Sequence, residues 1–133
     1  MSIEVEISVA EFLDKLTILQ IKSDRISDTE KLRNINQELA VLTETWSASA
    51  YAGDAGLETA ISELRRINEA LWDIEDAIRA KEAAGEFDQE FIRLARSVYM
   101  TNDRRAAVKK AINESTGSVI MEEKSYTAYP HAE

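Results

Sequence analysis

Lys22, Arg25, Asn102 and Arg105 are the residues of this 133-residue chain whose types and spacing come nearest to a chemistry. An ammonium and two guanidinium groups beside a carboxamide are the donors that hold a phosphate or a carboxylate, the cations attracting it and the amide orienting it. Other chemistries lack their parts. The one histidine, His131, stands close to the end of the sequence. That leaves no histidine general base, no Ser–His arrangement and no Glu-x-x-His pairs for a di-iron centre. With no cysteine there is no thiolate nucleophile, thiolate zinc site or disulfide framework. Glu69, Asp73 and Asp76 share a helical face with Glu75 beside them, a set that could in principle hold magnesium. Arg65, Arg66 and Arg79 interleave with them, so a solvated acidic face is the expected reading. No cofactor, metal or catalytic residue is assigned, and the chain reads as non-catalytic.

Glycine and proline mark the elements that must position these groups. Gly53, Gly56, Gly85, Gly117 and Pro130 all lie at the edges of apolar-periodic runs, where left-handed caps and helix stops belong. Ser8 and Glu11 form a capping-box pair ahead of Val9, Phe12, Leu16, Leu19 and Ile26, and Ser27 with Glu30 repeats the pattern ahead of Leu32, Ile35, Leu39, Leu42 and Trp46. Leu57 through Ile78 is the longest unbroken stripe, ending at the cap Gly85. Phe87 and Asp88 then read as staple and N-cap of a fourth helix ending at Gly117. The spacing predicts helices over about 9–26, 29–48, 57–84 and 88–116. The fold class is all-α, an antiparallel up-down-up-down four-helix bundle in one domain over 1–125. Its second hairpin, roughly 42 Å long against roughly 30 Å for the first, should overhang it. Ile3, Val5 and Ile7 alternate with glutamates, and Val119 and Met121 alternate near the other end, so the two ends could pair as a short β-ribbon. Residues 126–133 lack periodicity and read as a mobile tail.

Counting heights along such a bundle sets the polar interruptions of separate stripes at one level. Ser23, Asn68, Asn102 and Arg105 coincide there, with Lys22 and Arg25 flanking them. Two readings stand side by side. In one, the polar residues satisfy one another and fix helix register; in the other, the cations line an interhelical cleft for a small anion. Trp46, Trp72 and Tyr99 fall on or near stripes as core or hairpin contacts. Tyr126 and Tyr129 alternate with small polar residues and suit a partner-binding tail.

Sixteen basic against twenty-five acidic residues give a formal charge of −9, which disfavours nucleic acid and anionic membrane surfaces. No stretch is apolar enough to span a bilayer or to form a signal segment, so a cytoplasmic protein without membrane insertion is expected.

The segments EFLDKLTILQIKSDRI (11–26), INEALWDIEDAIR (67–79), YMTNDRRAAVKKAIN (99–113) and EEKSY (122–126) resemble an uncharacterised bacterial helical family, a domain of unknown function. The resemblance implies helices and no reaction. It also implies company with glycosyltransferases and tetratricopeptide proteins of surface-polysaccharide pathways. A fainter similarity is to the helical chorismate mutases, from which this chain departs by its fourth helix and by the placement of its basic residues. The expectation is a non-catalytic helical interaction or accessory module with a protein partner or a second copy. The alternative is a small-anion binding protein or enzyme, for a phosphosugar or a dicarboxylate.

Overall fold

Four side chains start four helices. In the computed structural model, which describes residues 1–130, the helices are α1 (Val9–Arg25), α2 (Thr29–Ser47), α3 (Ala55–Ala84) and α4 (Gln89–Thr116). Ser8, Asp28, Asp54 and Asp88 each accept a hydrogen bond from the backbone N–H three residues on, at 3.1, 2.9, 2.9 and 3.0 Å. Each bond satisfies a donor that the first turn would otherwise leave bare, an effect of about 1 kcal/mol per cap. At α2 the cap is Asp28 rather than the expected Ser27, and at α3 it is Asp54, so that helix begins two residues before Leu57. Gly85 and Gly117 end α3 and α4 in the left-handed conformation, at φ 68° and 65°, where a Cβ would be strained.

Helix α1 is the hub. It packs against α2, α3 and α4, while α3 also packs against α4; α2 lies against α1 alone. Two faces of α1 serve these contacts. Phe12, Lys15 and Ser23 meet Trp46, Glu38 and Asn36 of α2. Ala10, Leu13, Thr17 and Ile21, all at 1 % exposure or less, recur at the three- and four-residue spacing of a second buried face. The apolar core joins Ala10, Leu13 and Leu16 to Leu57 and Leu64 of α3 and Ile112 of α4, each full burial contributing about 1.5–3 kcal/mol. Helix α2 has no buried residue and contributes Leu39, Leu42 and Trp46 only as half-buried neighbours of that core. The four expected helices are present, with α2 packed on α1 and not on α3.

The α3–α4 hairpin outruns α1. Helix α3 has 30 residues and α1 has 17, and the last residue of α1, Arg25, reaches Asp73, so α3 continues past it to Ala84. The free end is fastened by Lys81, which pairs with Glu86 and Asp88 at 3.0 and 2.9 Å, and by an edge-to-face contact of Phe87 with Phe91.

Outside the helices the ends depart from expectation. No strand forms among the described residues: 1–7 are exposed and outside any ladder, and 118–130 carry no regular structure, so the terminal ribbon is not made. A two-stranded ribbon without a third partner is marginal in water. The tail expected over 126–133 is described as far as Pro130, and its Tyr129 lies against α4; 131–133 fall outside the described residues. No described helix is long and apolar enough to cross a membrane.

Candidate functional site

Asn68 is the centre of a polar chain running from α1 through α3 to α4. Its Nδ2 donates to Asp14 Oδ1 at 2.8 Å and to Thr17 Oγ1 at 3.1 Å, and its Oδ1 accepts from Arg105 Nη1 at 3.1 Å. The amide is oriented by charge, with its donor toward a carboxylate and its acceptor toward a guanidinium. Arg105 Nη2 donates to Asn102 Oδ1 at 2.7 Å. Asp14, Thr17 and Asn68 are buried, and among the described residues no buried side-chain nitrogen or oxygen lacks a partner. This is what a polar group in a core requires, since an unmade bond there costs about 1–3 kcal/mol.

Lys109, one turn beyond Arg105, closes the other side of Asp14. Its Nζ lies 2.8 Å from Glu11, 3.3 Å from Asp14 and 3.9 Å from Glu122. Burial pulls the lysine pKa down, but the hydrogen bond to Glu11 and the charges of Asp14, Glu11 and Glu122 outweigh it, and the net shift is upward. Lys124 holds Glu122 at 2.6 Å. The carboxyl of Glu122 is accordingly held below its ordinary range, first by that hydrogen bond and then by the Lys109 charge. The segment after Gly117 is thus tied back along α4 by the Lys109–Glu122 ion pair, and again by Tyr129, whose hydroxyl donates to Asp103 and whose ring meets Tyr99 edge-on at 5.1 Å. That hydrogen bond, with desolvation and the Asp103 charge behind it, pushes the phenol up to about 12.

Between α1, α4 and this returning segment lies an open cleft of about 710 Å³, the size of a small-ligand site. Arg105, Asn102 and Tyr99 line its α4 wall, Glu11 and Asp14 its α1 wall, and Glu122 to Tyr129 its third side. Arg105 has a singular place in it. Lys109 and Lys124 are both engaged by carboxylates, whereas no carboxylate stands within ion-pairing distance of Arg105 among the described residues. Its two hydrogen bonds go to neutral amide oxygens, so of the five donors of a guanidinium three are not used by the described residues.

The sequence-predicted set divides accordingly. Asn68, Asn102 and Arg105 come together. Ser23 does not join them: its hydroxyl donates to Asn36 at 2.8 Å, on the face of α1 that meets α2. Arg25 also stands apart, paired with Asp73 at 2.6 Å and Glu69 at 3.7 Å, its guanidinium 5.9 Å from the Trp72 ring centroid. Lys22 is half-buried and is not among the residues lining the cleft. Tyr126 and Tyr129 both line the cleft, Tyr126 with 78 % of its surface exposed and the Lys124 ammonium 5.7 Å from its ring. Glu11, Asp14, Thr17, Lys109 and Glu122 are the site residues that height-counting missed. A signal for two of them was present, because Asp14 and Thr17 sit on the second face of α1, whose apolar residues flank them at 10, 13 and 21.

No curated protein and no solved structure matches the chain. Residues 3–132 match the family of unknown function DUF6165, nearly the whole chain, and the protein therefore belongs to that family.

Proposed function

We propose that the chain is a binding protein for a small organic anion, taken by Arg105 in the cleft between α1, α4 and the segment 122–129. The observation that carries this reading is the state of Arg105: a half-buried guanidinium steadied by Asn68 and Asn102 on the wall of a cavity, acting on Glu122 only from a distance and with no carboxylate within ion-pairing reach among the described residues. An arginine placed only to stabilise the fold would gain more from one of the carboxylates nearby, since a carboxylate offers an opposite charge and a bidentate match to the guanidinium fork that an amide oxygen lacks. Held by two amides, it is preorganised and keeps its charge for a ligand. The same observation unites the two readings left open by the sequence, because Asp14, Thr17 and Asn68 satisfy the interior while Arg105 remains at the rim.

The test is ligand-induced stabilisation. At a hundredfold excess over Kd, a ligand of the folded state adds about 2.7 kcal/mol, roughly 10 °C in Tm for a chain of this length. Small carboxylates and phosphates screened at neutral pH should produce a saturable rise in the wild-type protein and none in Arg105→Gln. A flat response to every anion, or an equal rise in the variant, would refute the proposal.

A second reading, docking on a protein partner or a second copy, is favoured by the exposed Phe87 and Ile92 on the overhanging hairpin, since apolar side chains gathered at a tip suit contact with another surface. Light scattering at rising concentration checks the self-associating form of it. A strictly monomeric mass at high concentration would count against it.

A further inference from the structure

We infer that the ligand class of the cleft is a sugar acid: a hydroxylated ring bearing a single carboxylate. This rests on the anion-binding reading above and narrows it by charge, hydrogen bonding and shape.

Charge comes first. The lining includes Glu11, Asp14, Asp103 and Glu122 against Arg105, Lys109 and Lys124, four carboxylates to three cations, a formal balance of −1. Lys109 and Lys124 are already paired and Glu122 feels the Arg105 charge from further off, so the one cation without an ion pair is the guanidinium, set in a lining that is net negative and has room for at most one added charge. A single negative group can sit on it, with two of its unused donors facing the two oxygens of a carboxylate. A dicarboxylate, a sugar phosphate in its dianionic form or a nucleoside diphosphate would press a second charge toward the carboxylates. The charge argument therefore favours a monocarboxylate over the phosphosugar and dicarboxylate of the sequence reading.

The remaining lining asks for donors. Carboxylate oxygens of Glu11, Asp14 and Glu122 are turned toward ammonium groups, yet each carboxylate accepts about four hydrogen bonds and the described partners use fewer. An apolar or aromatic acid would strip water from those acceptors and return nothing, at a substantial cost in affinity. Ring hydroxyls would replace that water. Shape agrees: Tyr99 and Tyr126 offer aromatic surface on two sides of the cavity, on which the C–H face of a pyranose can pack while its hydroxyls point to the polar walls.

Titration calorimetry with D-glucuronate, D-glucose, acetate, benzoate and uridine diphosphate, on the wild-type chain and on Tyr126→Ala, separates these points. Tyr126 is exposed, so its loss should leave the Tm unchanged. Glucuronate should bind at least about tenfold more tightly than acetate, benzoate or uridine diphosphate, a ratio readily resolved, with glucose weaker still. Tyr126→Ala should weaken glucuronate severalfold and leave acetate as it was. If acetate or benzoate equals glucuronate, or the Tyr126 variant binds glucuronate as well as the wild type, the sugar class is overturned and the anion site stands. If glucose equals glucuronate, or no acid binds at all, the anion reading falls with it. Arg105→Lys, which keeps the charge and loses the fork, should bind glucuronate more weakly; undiminished binding would overturn the assignment to Arg105.

Discussion

Replacing Lys109 by methionine tests the polar layer where it is most enclosed. The Lys109 and Asp14 side chains are 13 % and 9 % exposed, 3.3 Å apart, and the substitution leaves the Asp14 carboxylate with the Asn68 amide as its side-chain donor. Breaking a buried pair from one side costs about 3–5 kcal/mol. Here Asn68 stays, and Glu11 and Glu122 are released toward water, so a loss of about 2–3 kcal/mol is expected. With an unfolding entropy of about 2.1 cal/mol/K per residue, that is a fall in Tm of roughly 7–11 °C. Thermal and denaturant unfolding of Lys109→Met, Asp14→Asn and the double variant give the coupling, expected at about 1–2 kcal/mol because a neutral amide in place of the Asp14 carboxylate no longer strands a charge. The pH dependence has a definite sign. A pKa raised on folding contributes stability that is complete below the ordinary lysine value of about 10.4 and is lost as pH rises through the folded value. Additivity of the two single variants within about 0.5 kcal/mol would show that Lys109 and Asp14 do not act as a pair, and the layer would lose its keystone.

Further outcomes follow from other parts of the molecule. Spectrophotometric titration of the four tyrosines should show the late ionisation of Tyr129, near about 12; Asp103→Ala should lower it, and a titration unchanged by that variant would dissociate the two groups. Because folding lowers the pKa of Glu122, its hold on the returning segment is complete above about pH 4.3 and is lost as pH falls through the depressed value. Resonances of 122–129 should therefore keep their positions until the pH falls below about 4.3, and release of the segment complete above that pH would contradict the ion pairing. Amide exchange in α2 should be faster than in α1 or in the first half of α3, since α2 has no buried residue and one helical neighbour; equal protection would mean that α2 unfolds with the core. Leu13→Ala, at a fully buried position between three helices, should cost about 3–5 kcal/mol in denaturant unfolding, and a loss under about 1 kcal/mol would show that Leu13 is not at the centre of the core.

The helices were legible because their punctuation is chemical. Asp88, Gly85 and Gly117 are caps whose conformations follow from side-chain reach and from a missing Cβ, and they stand where sequence spacing puts them. Height-counting brought Asn68, Asn102 and Arg105 to one level, and these three do hydrogen-bond in series. Ser23 was misplaced by a physical ambiguity. A helix apolar over two faces serves two neighbours, and counting along the stripe through Phe12 and Leu19 follows the face toward α2, while the interior of the fold reads the face through Leu13 and Thr17. The role of Lys109 could not be read, because Glu11 and Asp14 lie about a hundred residues away in α1 and Glu122 lies in a segment without periodicity. The return of the C-terminal segment rests on contacts such as Lys109 with Glu122 and Tyr129 with Asp103 and Tyr99, which leave no periodic trace.

Whether Arg105 keeps its charge for a ligand in the cleft can be watched at the guanidinium itself. Nuclear magnetic resonance of its Nε–H, followed together with the backbone amides as D-glucuronate is added, should give a saturable shift at Arg105 with matching shifts at Tyr99, Asn102 and 122–129, and none in α2. A silent Arg105 signal at millimolar ligand, or shifts gathered instead around Arg25 and Lys22, would mean that the guanidinium serves only the fold.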